Sequence, residues 1–316
     1  GGDKDTPQAI NLGSGRTATS IYAGGHYTCA ILDDESVKCW GHNTDGQLGI
    51  GSYLNTNTPT TINTLGSGRT AVSLATAYNS VCALLDDGSV KCWGDDAYGQ
   101  LGNGGTNADL NSPPSSSINL GTGRTAKAIT GGEFHFCAIL DDDSIKCWGQ
   151  GANGKLGTGS HADRTTPTST SGSFATGRYV VAIDAGYDHT CVILDNGQLT
   201  CWGSDSDGQL GNGATTGTKS SLQSSTVSLG TGRTAISISA GGTHTCAQLD
   251  NNELMCWGNR ADGQVGDNGN FNSPSDRTSP SSVSNNNHGG NTYLNTGVMP
   301  SSAVTGATCE ISPSLP

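Results

Sequence analysis

A short cysteine-containing segment occurs five times in this chain, and its spacing limits the fold more than any other feature. In each copy two cysteines ten positions apart are followed at once by Trp-Gly, as in CALLDDGSVKCWG at 82–94. A period of this length is typical of one supersecondary unit stacked on its neighbours, so we expect a repeat protein rather than two separate domains. The Trp-Gly pairs start at Trp40, Trp93, Trp148, Trp202 and Trp257, which are all the tryptophans of the chain and lie 53 to 55 residues apart.

The segment between the two cysteines is predicted to form a β-hairpin. A three-residue loop at 86–88 makes Leu85 and Ser89 the closing pair and places Cys82 directly opposite Cys92. The third loop position calls for left-handed backbone geometry, which glycine, asparagine and aspartate tolerate best. Its five occupants are Glu35, Gly88, Asp143, Gly197 and Asn252, of which Glu35 is the misfit.

Opposed cysteines in antiparallel strands are close enough to form a disulfide bond. Buried reduced thiols and zinc ligands are the alternatives, but zinc sites usually contain closely spaced cysteine pairs, which this chain lacks. Five disulfides indicate an oxidising compartment, so we expect an extracellular or cell-surface location. The expected pairs are Cys29–Cys39, Cys82–Cys92, Cys137–Cys147, Cys191–Cys201 and Cys246–Cys256.

Both faces of the predicted hairpin carry large apolar side chains, with Leu84 and Val90 on one face and Leu85 and Trp93 on the other. Such a strand pair needs cover on two sides, as in a blade packed between two other blades. A strand with small residues precedes each hairpin, and a Ser/Thr/Asn-rich stretch follows the GQLG motif. We therefore predict an all-β fold, a β-propeller of four-stranded antiparallel blades, with one tryptophan in the core of each blade.

Two motifs carry a family resemblance, AGG-x-H-T-C-A-x-L-D at 240–250 and C-W-G-x-x-x-x-G-Q-L-G at 92–102. They resemble the regulator of chromosome condensation repeat family over residues 1 to about 275, which implies a β-propeller. The cysteine pairs depart from the founding nuclear protein and resemble secreted prokaryotic members. Because the family is functionally diverse, the resemblance implies the fold more strongly than the function.

The repeats divide the chain into units with a tail at each end. We expect residues 1–16 to be the tail strand of an incomplete repeat, and residues 285–316 to be a linker and C-terminal strands. In one interpretation Tyr293–Ser312 forms the extra strands of a sixth, irregular blade, and Thr6–Leu12 supplies its outer strand. The alternative is that VTGATCEISPSLP at 304–316 opens an immunoglobulin-like domain of a longer surface protein, which it resembles. Cys309 has no partner in the pattern. The five repeats are expected at 17–69, 70–124, 125–178, 179–233 and 234–284.

Candidate chemical groups recur in the repeats rather than standing in one unique setting. His135, His189 and His244 each precede a cysteine by two positions, a register shared with Tyr27 and Ser80, which favours blade packing or turn bonding over metal binding or catalysis. An aspartate opens every hairpin loop, where it is expected to bond backbone amides of the turn. We therefore expect no catalytic residue, no metal and no cofactor. The recurring aspartates are Asp33, Asp86, Asp141, Asp195 and Asp250.

Charge narrows the range of partners. The net charge of −12 argues against binding nucleic acid or an anionic membrane. The favoured function is a non-enzymatic extracellular propeller, a structural or adhesive module of a cell-surface protein or filament. Its partners would be other copies or adjoining domains of a larger surface protein, and O-linked glycans are compatible with its loops. The alternative is a secreted protein- or glycan-binding propeller that acts through its long Ser/Thr/Asn-rich loops.

Overall fold

The computed structural model describes residues 6–106, 108–215, 217–267 and 276–283. These residues form five antiparallel sheets, one for each repeat, so the predicted propeller architecture is confirmed. The first blade contains β1 (Ala18–Ala23), β2 (Tyr27–Leu32), β3 (Val37–Gly41) and β4 (Thr56–Thr61); the second β5 (Ala71–Thr76), β6 (Ser80–Leu85) and β7 (Val90–Gly94); the third β8 (Ala126–Gly131), β9 (His135–Leu140), β10 (Ile145–Gly149) and β11 (Arg164–Ser169); the fourth β12 (Val180–Ala185), β13 (His189–Leu194) and β14 (Leu199–Gly203); and the fifth β15 (Ala235–Ala240), β16 (His244–Leu249), β17 (Leu254–Gly258) and β18 (Arg277–Ser282).

The hairpin between the second and third strands of each blade has the predicted register. Cys82 lies opposite Cys92, and the Leu85 amide donates to the Ser89 carbonyl across a three-residue loop. All five third-loop residues have positive φ, including Glu35 at 65°. The register of the hairpin therefore imposes left-handed geometry on a residue type that rarely adopts it.

The outer strand is regular in three blades and reduced in two. β4, β11 and β18 each contain a proline, Pro59, Pro167 and Pro280, which suits an edge strand because proline cannot donate to a further strand. In the second and fourth blades single bridges, Gly94 to Leu110 and Gly203 to Lys219, replace the predicted fourth strand.

The apolar core lies between successive blades. Each cluster of buried residues combines side chains from two neighbours, such as Tyr27 from the first blade with Leu74 and Trp93 from the second. The indole Nε1 of Trp93 donates to the carbonyl of Gln47 in the preceding blade at 3.0 Å, and the three later tryptophans repeat this contact. A Cβ on Gly49 would lie 2.6 Å from the same Nε1, which explains the second glycine of the GQLG motif.

The expectations for the two ends have different outcomes. Residues 6–16, expected to form a tail strand, contain no strand. The linker and C-terminal strands expected at 285–316, and with them Cys309, lie outside the described residues. Within the described part, no helix is both long and apolar enough to cross a membrane.

Candidate interaction site

The structure places each of the ten predicted cysteines in a disulfide. The sulfur atoms of each pair lie 2.05 to 2.13 Å apart. Nine of the ten cysteines are buried, and Cys246, on the fifth blade, is half-buried. These bonds therefore cross-link the second and third strands inside each blade.

In the first, third and fourth blades, the ring side chain two positions before the first cysteine binds the next blade. His135 Nε2 lies 3.0 Å from Thr190 Oγ1, and His189 Nε2 lies 2.8 Å from Thr245 Oγ1. Burial lowers the pKa of both histidines, and that of His189 falls to about 4. These two histidines therefore pack between blades as neutral imidazoles.

A cavity of about 490 Å³ opens at the end of the inner strands, and all five blades contribute to its wall. The last residue of each inner strand contributes to this lining. Glycine is also required one position later, because a Cβ on Gly132 or Gly241 would lie within 2.2 Å of a histidine ring. The last residues of the inner strands are Ala23, Thr76, Gly131, Ala185 and Ala240.

The mouth of this cavity carries two tyrosines, one glutamate and two glycines, one residue from each blade. Tyr78 lies against Gly25 of the preceding blade, and Tyr187 lies against Gly242 of the following blade, because a Cβ on either glycine would overlap the tyrosine ring. Glu133 stands between the two tyrosines in the sequence of blades. Backbone bonds join these loops, from Tyr78 N to Glu133 O at 2.9 Å and from Tyr187 N to Gly242 O at 3.1 Å. The mouth is therefore a fixed rim that presents variable side chains.

A row of aromatic rings continues outward from Tyr78 on the same end of the molecule. The ring centroids of Tyr78 and Phe134 lie 6.0 Å apart, and those of Phe134 and Tyr98 lie 5.3 Å apart. His26 hydrogen-bonds the Tyr78 hydroxyl at 3.1 Å and stacks edge-on to His42. All five rings are half-buried or exposed. We call this end, with the cavity mouth and the aromatic row, the cavity face.

Two carboxyl groups in and near the cavity have raised pKa values. Asp184 accepts hydrogen bonds from Thr130 Oγ1 at 3.1 Å and from the Ala240 amide at 2.8 Å, and burial raises its pKa to about 6. Burial also raises the pKa of Glu133, and the nearby charge of Asp188 adds to this effect. A desolvated carboxylate gains most from a positive charge that approaches it.

Lys155 is a departure from the repeat. It replaces the glutamine of GQLG, is fully buried, and binds both Gln150 and Asp188, so that it joins the third blade to the fourth. The corresponding Gln47 instead donates to His42 and to Asn79 of the next blade. A buried ammonium needs such partners, so this lysine is positioned by blade packing.

The opposite end, the hairpin face, is occupied by paired charges. Arg69 contacts Asp86 and Asp87 at 3.1 and 3.0 Å, and the other repeats have an equivalent arginine. Asp86 accepts a hydrogen bond from the backbone amide of Thr70, the residue that precedes the inner strand. The sequence had suggested an amide of the turn as its partner. The next residue, Asp87, bonds the turn amide of Ser89 instead. These aspartates thus tie the hairpin to its neighbouring strand.

Metal binding finds no support in the described ranges, where no three His, Cys, Asp or Glu side chains converge. The acidic loop at 205–208 serves its own backbone, because Asp205 accepts the Leu210 amide and the side chain of Asn212. The described geometry therefore offers a surface and a cavity rather than a metal centre.

Comparison with known proteins identifies the architecture. The family model of the RCC1-like domain matches residues 2–301. The chain belongs to the RCC1-like family. The curated relatives include the ultraviolet-B receptor UVR8 of Arabidopsis thaliana, 29% identical over 84% of this chain and 58% of the receptor. They also include the human E3 ubiquitin-protein ligase HERC2, 26% identical over 78% of this chain but only 5% of the ligase.

Solved structures agree on the fold. Yeast RCC1 (Prp20), solved in complex with Kap60, has a TM-score of 0.72 at 22% identity over 86% of this chain and 62% of that chain. Human WBSCR16 has a TM-score of 0.73 at 20% identity over 93% of this chain and 71% of that chain. The chain is thus an RCC1-like β-propeller, a protein-interaction module, and it spans just over half of the plant receptor.

Sequence reasoning missed the side chains that give the cavity face its character. Tyr78, Glu133 and Tyr187 lie four positions before a cysteine, where the first and fifth repeats have Gly25 and Gly242. An alignment of the five repeats would have shown that this position varies, whereas the position before it is always glycine or alanine. Variation on a fixed scaffold is where binding specificity usually lies.

Proposed function

We propose that this RCC1-like propeller is a non-enzymatic, extracellular adhesive module that binds its partner through the cavity face. The observation that carries the proposal is the continuous aromatic row beside the cavity mouth, from His42 to Tyr98. Partly exposed aromatic side chains are common anchors of interfaces, because they bury a large area at a small cost in entropy. The partner would be a protein or a glycan on a neighbouring surface.

The five disulfides support an extracellular location. Structural disulfides persist in secreted proteins and are rare in reducing compartments. Each closes a short loop, with a sequence separation of 10. The bonds would preserve the blades where no chaperone can refold them.

Strand donation between copies is not part of this proposal. The third strands of the two three-stranded blades are covered by their own chain, with Ile118 N bonded to Val90 O and Val227 N bonded to Leu199 O. Binding through the Ser/Thr/Asn-rich loops is also less favoured, since the aromatic row lies outside those stretches. The rim of the cavity mouth is held by backbone hydrogen bonds, so it loses less conformational entropy on binding than a flexible loop would.

A second candidate is a structural role through the hairpin face. Val72, Val181 and Ile236 occupy equivalent bulge positions of three inner strands and are about half exposed. Exposed apolar residues around one axis favour packing against a neighbouring domain or copy. This reading would make the propeller a spacer in a larger assembly.

One paired experiment distinguishes the two candidates. A cavity-face variant, Tyr78→Ala with Phe134→Ser, is compared with a hairpin-face variant, Val72→Ser with Val181→Ser, after circular dichroism shows that both are folded. Each is immobilised in oxidised form and exposed to the surface fraction of the producing cells. The proposal expects the cavity-face variant to retain its partner at least about tenfold less well, with no change in the other. Loss confined to the hairpin-face variant would instead establish the second candidate, and no loss in either would refute both.

A further inference from the structure

The cavity has the size of a small-molecule site. Its volume of about 490 Å³ lies within the range of such sites. Gly131, Ala185 and Ala240 line its wall with little or no side chain, so a ligand can approach the inner strands closely. An aliphatic chain can pack against such a wall.

The carboxylates of the cavity lining give it a negative charge. Asp184 within the cavity and Glu133 at its mouth are carboxylates, and no lysine or arginine is among the described lining residues. Tyr78 and Tyr187 add aromatic surface at the mouth. The nearest buried ammonium, that of Lys155, is bound to Gln150 and Asp188 and is not part of the wall. Carboxylates with aromatic rings form a favourable environment for an organic cation.

We propose that the central cavity binds an alkylammonium group, supplied by a lysine side chain of the partner or by a free linear amine. This goes beyond the proposed docking on the cavity face, because a partner could dock there and leave the cavity empty. The ammonium would lie between Asp184 and Glu133, and its alkyl chain would contact the small residues of the inner strands. The net charge of −12 would attract such a ligand but would not select its shape.

Binding of an ammonium group should change the protonation of carboxyl groups in the cavity wall. Only Thr130 and backbone amides face Asp184, whereas Asp188 and Lys155 are the charged groups near Glu133. Desolvation raises the pKa of both carboxyl groups, and that of Asp184 to about 6, so near pH 6 Asp184 holds part of a proton before a ligand binds. An ammonium favours the ionised form of Asp184, so its binding releases protons to the buffer.

Calorimetry of the full-length oxidised protein tests the proposal. The probes are Nα-acetyl-lysine amide, cadaverine, and Nα-acetyl-norleucine amide, a neutral control of matching shape. Titrations near pH 6 are run in two buffers of different ionisation heat, which gives the number of protons released. We expect saturable one-to-one binding of an ammonium probe, at least about tenfold tighter than the neutral control, with proton release.

Two variants assign the binding to the cavity. Glu133→Gln should weaken binding of the ammonium probes about three- to tenfold, whereas Glu253→Gln, on the hairpin face, should leave their affinity unchanged. Asp184→Asn provides a second test if it folds. Binding of the lysine probe supports a partner lysine as the source, and binding of cadaverine alone supports a free amine. Absence of saturable binding, or equal weakening by Glu133→Gln and Glu253→Gln, would overturn the proposal while leaving the docking experiment unaffected.

Discussion

Four tryptophans donate a hydrogen bond to the preceding blade, and the contribution of this bond to stability can be measured by replacing tryptophan with phenylalanine. Three positions give three different expected losses. Trp148→Phe removes the indole N–H that donates to the Gln100 carbonyl at 3.0 Å. Among the described residues that carbonyl has no second donor, so it is left buried and unpaired. In Trp202→Phe the Lys155 carbonyl still accepts Thr190 Oγ1 at 3.0 Å. Trp40 is half-buried and makes no such bond within the described residues.

These differences set an order of stability losses. An unpaired buried carbonyl costs about 1–3 kcal/mol, and the smaller phenyl ring adds about 1 kcal/mol in lost packing. We therefore expect Trp148→Phe to cost about 2–4 kcal/mol in the free energy of unfolding. Trp202→Phe, which loses packing and one of two donors, should cost about 1–2 kcal/mol. Trp40→Phe should cost less than about 1 kcal/mol.

The assay is urea unfolding of the oxidised proteins followed by far-ultraviolet circular dichroism, since tryptophan fluorescence changes with the substitution itself. Equal denaturant dependence in all variants would show that only stability has changed. The reasoning is refuted if the three substitutions cost the same, or if Trp40→Phe costs the most.

Two further predictions concern single positions of the repeat. Asp96 is fully buried, and its Oδ2 has no hydrogen-bond partner among the described residues. Burial raises the pKa of Asp96 to about 6. Because that pKa exceeds the unfolded value, the wild type loses stability as the pH rises through 6, so Asp96→Asn should be more stable at pH 7 by about 1–2 kcal/mol. The advantage should vanish near pH 4, and an advantage that persists there would contradict the assignment. Gly102→Ala, whose Cβ would lie 3.0 Å from the Trp148 ring at φ +65°, should lower the melting temperature more than Gly123→Ala, whose Cβ meets nothing at φ +69°. Equal shifts would rule out the contact with the ring.

The hairpins were predictable because their information is local. Loop length fixes which residues face each other, so Cys82 opposite Cys92 followed from counting. The contacts between blades were not predictable in this way, because they join residues about 50 positions apart, as in Trp93 to Gln47. The recurring Gly of GQLG signals such a contact but does not name its partner.

The interaction site was the least predictable part of the molecule. Tyr78 and Tyr187 look like ordinary loop residues until the inner strands bring them to one rim. The same holds for Asp184, a carboxylate in a strand whose neighbours are apolar. The outer strands of the second and fourth blades were overpredicted, because the repeat period indicates a unit but not the regularity of its weakest strand.

The central claim is that an oxidised propeller works outside the cell, and a thiol count on protein taken directly from its producing cells tests it most directly. The protein is unfolded in excess iodoacetamide without reductant, and its mass is measured. The account predicts that the ten paired cysteines gain no label, so that of the eleven in the chain only Cys309 is left to react. Ten or more adducts would show that the pairs are reduced in the cell, and would contradict the extracellular assignment.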